Sequence, residues 1–205
     1  MKFILIVLLL VPLASCDVFS TRDPEPPDLG SQFIWTPAST PELLLENFKG
    51  TIENLDASDY VRCFVSEQDS SETAGHLVYS FVPRSGLDAG GQSIIQVWTA
   101  SSEQSFMTKL RTSLIKNPRA TVTFTKPAID QSINSATISV DYSILLPVES
   151  GSSLPASVVG SLHFQLEAVT TEQATREWRI ITWTDFAPQS GGTSTFTDLK
   201  LQLSS

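Results

Sequence analysis

From Arg119 onward, apolar residues recur at every second position. The segments RATVTFTKP, SATISVDYSILLPV, SVVGSLHFQLEAVT, REWRIITWTDF and STFTDLKLQLS all show it. A period of two is that of a half-buried strand. Ile138, Val140, Tyr142, Ile144 and Leu146 share one face of the second segment, and Leu162, Phe164, Leu166 and Ala168 share one face of the third. Polar or Gly/Pro-containing turns separate the neighbours, so the simplest topology is an antiparallel meander.

Before Pro118 the period is nearer 3.6. In STPELLLENFKGTIENLD, Thr40 can cap a helix, Pro41 suits its first turn and Glu42 complements its positive end. Leu43, Leu44, Asn47 and Phe48 fall on one face, and Gly50 is expected to weaken or end the helix. A second helix is predicted from Ser58, with Tyr60, Phe64 and Cys63 turned inward. GHLVYSFVP reads as a strand with Leu77, Tyr79 and Phe81 on one face. GLDAGGQ reads as a loop and SIIQVW as a short strand. A third helix is predicted from Ser102, where Phe106, Met107, Leu110 and Leu114 keep helical spacing. Lys109, Arg111 and Lys116 fall toward its negative end. Helices first and strands last make an α+β pattern, with the helices covering the apolar face of the sheet.

The start of the chain follows neither period. Phe3 to Val11 is unbroken apolar sequence after the single positive charge of Lys2. It is shorter than the roughly 20 apolar residues that cross a bilayer, and it ends in small residues, as a secretory signal peptide does. Residues 1–15 are read as that signal. Beyond it, RDPEPPDLGS has no hydrophobic periodicity, and Pro24, Pro26 and Pro27 stiffen it, so residues 16–36 are read as a tether and 37–205 as one domain. Trp35 is expected to dock the tether onto the domain.

Charge narrows the choice of partners. The chain carries a net charge of −9, and removing the signal takes away only Lys2, leaving −10. That excess argues against nucleic acid and against adhesion to anionic headgroups. Cys16 and Cys63 are the two cysteines. If Cys16 is modified, Cys63 has no intrachain partner and is read as a small buried residue.

Candidate chemistry is sparse. His163 shares a strand face with Ser161, Gln165 and Glu167, and Asp141 shares one with Ser139 and Ser143. A carboxylate and an imidazole on neighbouring strands suit proton transfer near neutral pH. The same alternation also describes a sheet face that looks at water. Tyr142 falls on the face opposite Asp141. His76 and His163 match no ligand spacing, so neither a metal nor a cofactor is expected. GLDAGGQS does not match a phosphate-binding loop. Trp98, Trp178 and Trp183 are expected to be packing anchors, and Asp185 a turn or side-chain-to-backbone hydrogen-bonding residue.

Two resemblances add to this. LASC at residues 13–16, directly after the apolar run, resembles the lipobox of bacterial lipoproteins. It implies that Cys16 receives a diacylglyceryl group and becomes the first residue of the mature protein, anchored in a membrane by its acyl chains. Asp17 leaves inner versus outer membrane open. Farther on, TPELLLENFKGTIENLDASDYVRCF, VWTASSEQSFMTKL, and WRIITWTDF with STFTDLKLQL resemble the NTF2-like (SnoaL-like, cystatin-like) superfamily over about residues 33–203. That resemblance implies a curved antiparallel sheet around a long helix, with a cone-shaped cavity that members use for isomerisation, dehydration, ligand binding or partner binding. Two functions follow as expectations. The first is a non-catalytic module of the cell envelope, anchored through Cys16, that binds a small apolar ligand or an envelope protein. The second is a cavity enzyme of the isomerase/dehydratase type, with Asp141, His163 and Tyr142 as the nearest candidates. Fold alone does not choose between them.

Overall fold

The computed structural model describes residues 33–71, 77–188 and 193–204. The segment read as a signal peptide, Cys16, the segment read as a tether up to Gln32, and His76 lie outside the described residues.

Helix α1 (Pro41–Asn54) starts as its sequence dictates. Thr40 is extended and its hydroxyl accepts from the Leu43 N–H at 3.3 Å, with proline in the first turn. Leu44, Leu45, Phe48 and Ile52 are buried, while Leu43 is only half-buried. Gly50 does not end the helix; the stop comes at Leu55, in the left-handed region with φ 52°. Gly50 is instead a crossing point. A Cβ there would lie 2.3 Å from the Phe33 ring, so its absence lets the incoming chain pass against the helix.

Helix α2 (Ala57–Val61) is capped by Asp56, whose carboxylate accepts from the Ser58 and Asp59 N–H groups at 3.0 and 3.1 Å. Tyr60, Cys63 and Phe64 are all buried, in keeping with their spacing. Strand β1 is short, Ser80–Val82. The next stretch corrects the sequence reading. Gly86–Asp88 are loop as read, but most of GLDAGGQ and SIIQVW forms one helix, α3 (Ala89–Gln96), rather than loop and strand. Asp88 makes the difference, since its side chain accepts from the Gly91 N–H at 2.7 Å and caps the first turn. Gly91 then packs against Leu201, where a Cβ would lie 3.3 Å from a methyl carbon. Helix α4 (Ala100–Thr112) begins two residues before Ser102, because Thr99 and Ser102 form a reciprocal capping box.

Strands β2 (Thr121–Gln131), β3 (Ser135–Leu145), β4 (Ser157–Thr170) and β5 (Arg176–Phe186) are an antiparallel meander. The sheet order is β1-β5-β4-β3-β2, and β1 adds to β5 in parallel. Pairing shifts between Thr125 and Ala128, where Lys126 has φ 53° and Pro127 follows. The α+β class read from the sequence is the class observed.

The last segment is a second correction. STFTDLKLQLS is not a strand; it holds helix α5 (Phe196–Ser204). Thr195 and Asp198 cap it, with the Asp198 carboxylate accepting from the Thr195 N–H at 2.9 Å. Phe196, Leu199 and Lys200 then turn inward at helical spacing.

Aromatic rings fill the space between sheet and helices. Trp183 of β5 has ring centroids of Phe48, Phe81, Phe164 and Phe196 within 5.6 Å and that of Phe64 at 6.4 Å. Tight packing extends to the strands. Gly160 of β4 lies under Tyr142 of β3, and a Cβ at 160 would fall 2.5 Å from the phenol oxygen and 2.6 Å from the Phe186 carbonyl. Gly160→Ala is therefore expected to lower stability by about 1–3 kcal/mol, read as a shifted urea midpoint at unchanged slope. An unshifted midpoint would mean that Tyr142 has another place to go.

Candidate functional site

Asp141 and His163 are placed on the outer face of the sheet. The strand register sets Asp141 opposite Ser161 and His163 opposite Ser139, so the two are diagonal neighbours. Each bonds to a serine rather than to the other. The Ser161 hydroxyl donates to Asp141 Oδ1 at 2.6 Å, and Ser139 Oγ lies 2.8 Å from His163 Nδ1. The Ser161 hydroxyl, with Lys126 3.4 Å away, holds the Asp141 carboxyl below its ordinary range. The Asp141 side chain is 44% exposed.

Tyr142 points the other way, into the protein. Its hydroxyl donates to Asp185 Oδ1 at 2.7 Å and accepts from the Phe196 N–H at 3.0 Å. Asp185 is no turn residue. It is buried in β5, and its second oxygen accepts from the Thr197 N–H at 2.8 Å and the Thr197 hydroxyl at 2.6 Å. The side-chain-to-backbone bond read from sequence is present, and it fastens α5 to the sheet. Trp35 is half-buried beneath the Arg62 guanidinium, 4.1 Å from its ring centroid.

Cys63 is buried, and that burial pushes its thiol well above its ordinary pKa. In the Cys16→Ser protein, Cys63 is expected to resist a thiol reagent such as dithiobis-nitrobenzoate until the chain unfolds, then to react at one equivalent. Prompt reaction of the folded protein would mean that the site opens locally.

The titratable groups that the sequence reading passed over lie inside. Glu103 of α4 and Lys200 of α5 are both fully buried, with Nζ 2.6 Å from Glu103 Oε1. The same oxygen accepts from the Tyr79 hydroxyl at 2.5 Å and from Trp98 Nε1 at 2.9 Å; Oε2 accepts from the Tyr60 hydroxyl at 3.0 Å. Trp98, expected to be a packing anchor, is also a donor. Burial pulls the Lys200 ammonium down to about 8, against the upward pull of Glu103. Burial, and then the negative Glu103, push both phenols well above 10. Helical spacing held a signal for Glu103: it lies three, four and seven residues before Phe106, Met107 and Leu110, on their face.

Outside this cluster, a groove of about 490 Å³ runs along β1, lined by Val78, Val82, Val97, Tyr79, Phe81 and Trp98. The last three also contact the buried pair from within. Among the described residues no group of three or more His, Cys, Asp or Glu is placed to hold a metal ion. Among them, too, no helix is long and apolar enough to cross a membrane.

No protein-family model matches the sequence, and no curated protein matches it. Solved structures with a similar chain path are found. One is a candidate dehydratase of the NTF2-like family from Streptomyces avermitilis, 14% identical, covering 72% of this chain and 92% of that one at a TM-score of 0.48. A second is an NTF2-like protein from Cytophaga hutchinsonii, 11% identical, covering 71% and 93% at 0.46. A third is a protein of unknown function with a cystatin-like fold from Nostoc punctiforme, 10% identical, covering 72% and 87% at 0.43. These are likenesses of chain path, and no residue role or activity is carried over from them.

Proposed function

We propose that this chain is a bacterial cell-envelope protein held to a membrane by acyl chains on Cys16, and that its domain acts by binding rather than by catalysis. The anchor rests on Leu13-Ala14-Ser15-Cys16 standing directly after a short apolar run. Two or more acyl chains suffice for stable attachment without a basic patch, which suits a chain this acidic.

One observation carries the non-catalytic reading. Trp183 and five phenylalanines fill the space between sheet and helices. Asp141 and His163 lie outside it, each bonded to a serine. A filled interior favours a protein partner met at the surface over a small apolar ligand held inside. The cavity-enzyme alternative keeps one support: the Lys200 amine, beside Glu103 and Tyr79, is acid–base equipment in the interior. It would require α5 to withdraw.

The test of the anchor is Cys16→Ser in the producing bacterium. The variant should lose incorporation of labelled palmitate, stay at precursor mass and leave the lipid-modified membrane fraction. Undiminished labelling of the serine variant would remove the basis of the proposal.

A further inference from the structure

The Glu103 carboxylate is positioned by groups other than lysine. Tyr60 comes from α2, Tyr79 immediately precedes β1, and Trp98 joins α3 to α4; each donates to this carboxylate. The rings around Lys200 Nζ have the same independence. Its distance to the ring centroid is 3.5 Å for Phe81 of β1, 3.6 Å for Trp183 of β5, 5.4 Å for Trp98 and 5.8 Å for Phe106 of α4. None of these six side chains belongs to α5, and neither does Glu103. Helix α5 delivers the cation; the rest of the domain supplies the counter-charge, the donors that fix it and the aromatic faces.

Ring faces carry negative potential, and several of them around one carboxylate are the chemistry that selects an ammonium group once water is excluded. We propose that this interior is a preformed recognition site for a primary alkylammonium, with Lys200 as its tethered resident ligand. Tethering explains why the site is closed in the native chain. An internal ligand acts at an effective concentration that a free amine of similar affinity does not reach. The groove along β1 shares Tyr79, Phe81 and Trp98 with the site, which makes it the side from which an external amine would approach. The inference stands apart from the membrane anchor and survives or fails independently of it.

The experiment uses the full-length chain with Lys200→Ala. The atoms removed beyond Cβ are those of n-propylammonium, so that ion is the probe, and n-propanol is the neutral control of equal size. At pH 7 propylammonium should raise the melting temperature saturably and shift the fluorescence of the nearby tryptophans. It should bind severalfold tighter than propanol, because the carboxylate and ring faces favour a nitrogen donor. Its binding should strengthen as pH rises from 8 toward 10, because burial lowers the pKa of an amine held there. The preference should vanish in Lys200→Ala with Glu103→Gln. If Lys200→Ala does not fold alone, it should refold in propylammonium and not in propanol. Equal binding of the two probes would overturn the proposal. So would a variant that neither probe stabilises or refolds.

Discussion

Glu103→Ala is expected to lower the unfolding free energy by about 3–5 kcal/mol, the range for breaking a buried ion pair at one end. The substitution leaves the Lys200 ammonium uncompensated, with no solvent exposure, and strips an acceptor from Tyr60, Tyr79 and Trp98. Urea unfolding of the variant checks it. Because removing both charges together is far milder than removing one, Glu103→Gln with Lys200→Met should recover most of the loss. A double-mutant cycle would then show strong coupling; additive losses would mean that the pair does not act as a unit. The pair also carries a pH signature. Lys200 titrates at about 8 in the fold against an ordinary 10.5, and Glu103, Asp185, Tyr60 and Tyr79 are the titratable groups around it. From about 8 up to the ordinary thiol pKa of 9 the unfolded chain holds more protons than the folded one, so stability rises with pH there. Above 9 the Cys63 thiol of the unfolded chain ionises while the buried one stays protonated, which offsets the lysine. Past pH 10 the tyrosines of the unfolded chain ionise while Tyr60 and Tyr79 stay protonated in the fold, so stability falls again. The rising limb should be absent from Lys200→Met.

Trp183→Ala should cost about 3–5 kcal/mol, as large-to-small changes of buried aromatics do. Its ring touches residues from α1, β1, β4 and α5, and no helix can close the space without leaving its own contacts. Trp183→Phe is the informative comparison. The indole Nε1 is buried without a hydrogen-bond partner, so the smaller ring gives up volume but also removes an unsatisfied donor. It should cost less than about 1.5 kcal/mol. Midpoints of thermal and urea unfolding separate the two outcomes. A phenylalanine variant as unstable as the alanine one would show that the indole's shape, not an aromatic ring as such, is required.

β3 and the first half of β4 were legible because one face meets the interior and the other is partly open, which writes a period of two into the residues. β2 buries only Val122, and Glu177 to Ile180 of β5 are all buried, so there the period in the sequence is not the period of burial. The α5 segment has the same apparent period: Leu199, Leu201 and Leu203 alternate with Lys200 and Gln202. As a strand this would expose Lys200. As a helix it buries Lys200 beside Leu199, and only the Thr195–Asp198 cap distinguishes the two. The same gap explains α3, where adjacent glycines and β-branched isoleucines outweighed the capping role of Asp88. Asp141 and His163 drew notice because polar residues on a strand are conspicuous. Glu103 and Lys200 did not, because their pairing lies 97 residues apart in sequence and depends on the packing of α4 against α5.

Both borders of the sheet are blunt. β1 offers only Ser80–Val82 at one side, and β2 is broken at the other by Lys126 and Pro127. A long, flat border invites a second molecule to continue the ladder. Among the described residues neither border offers such a template, so copies of this domain meeting at high concentration should not seed fibrous polymers through the sheet.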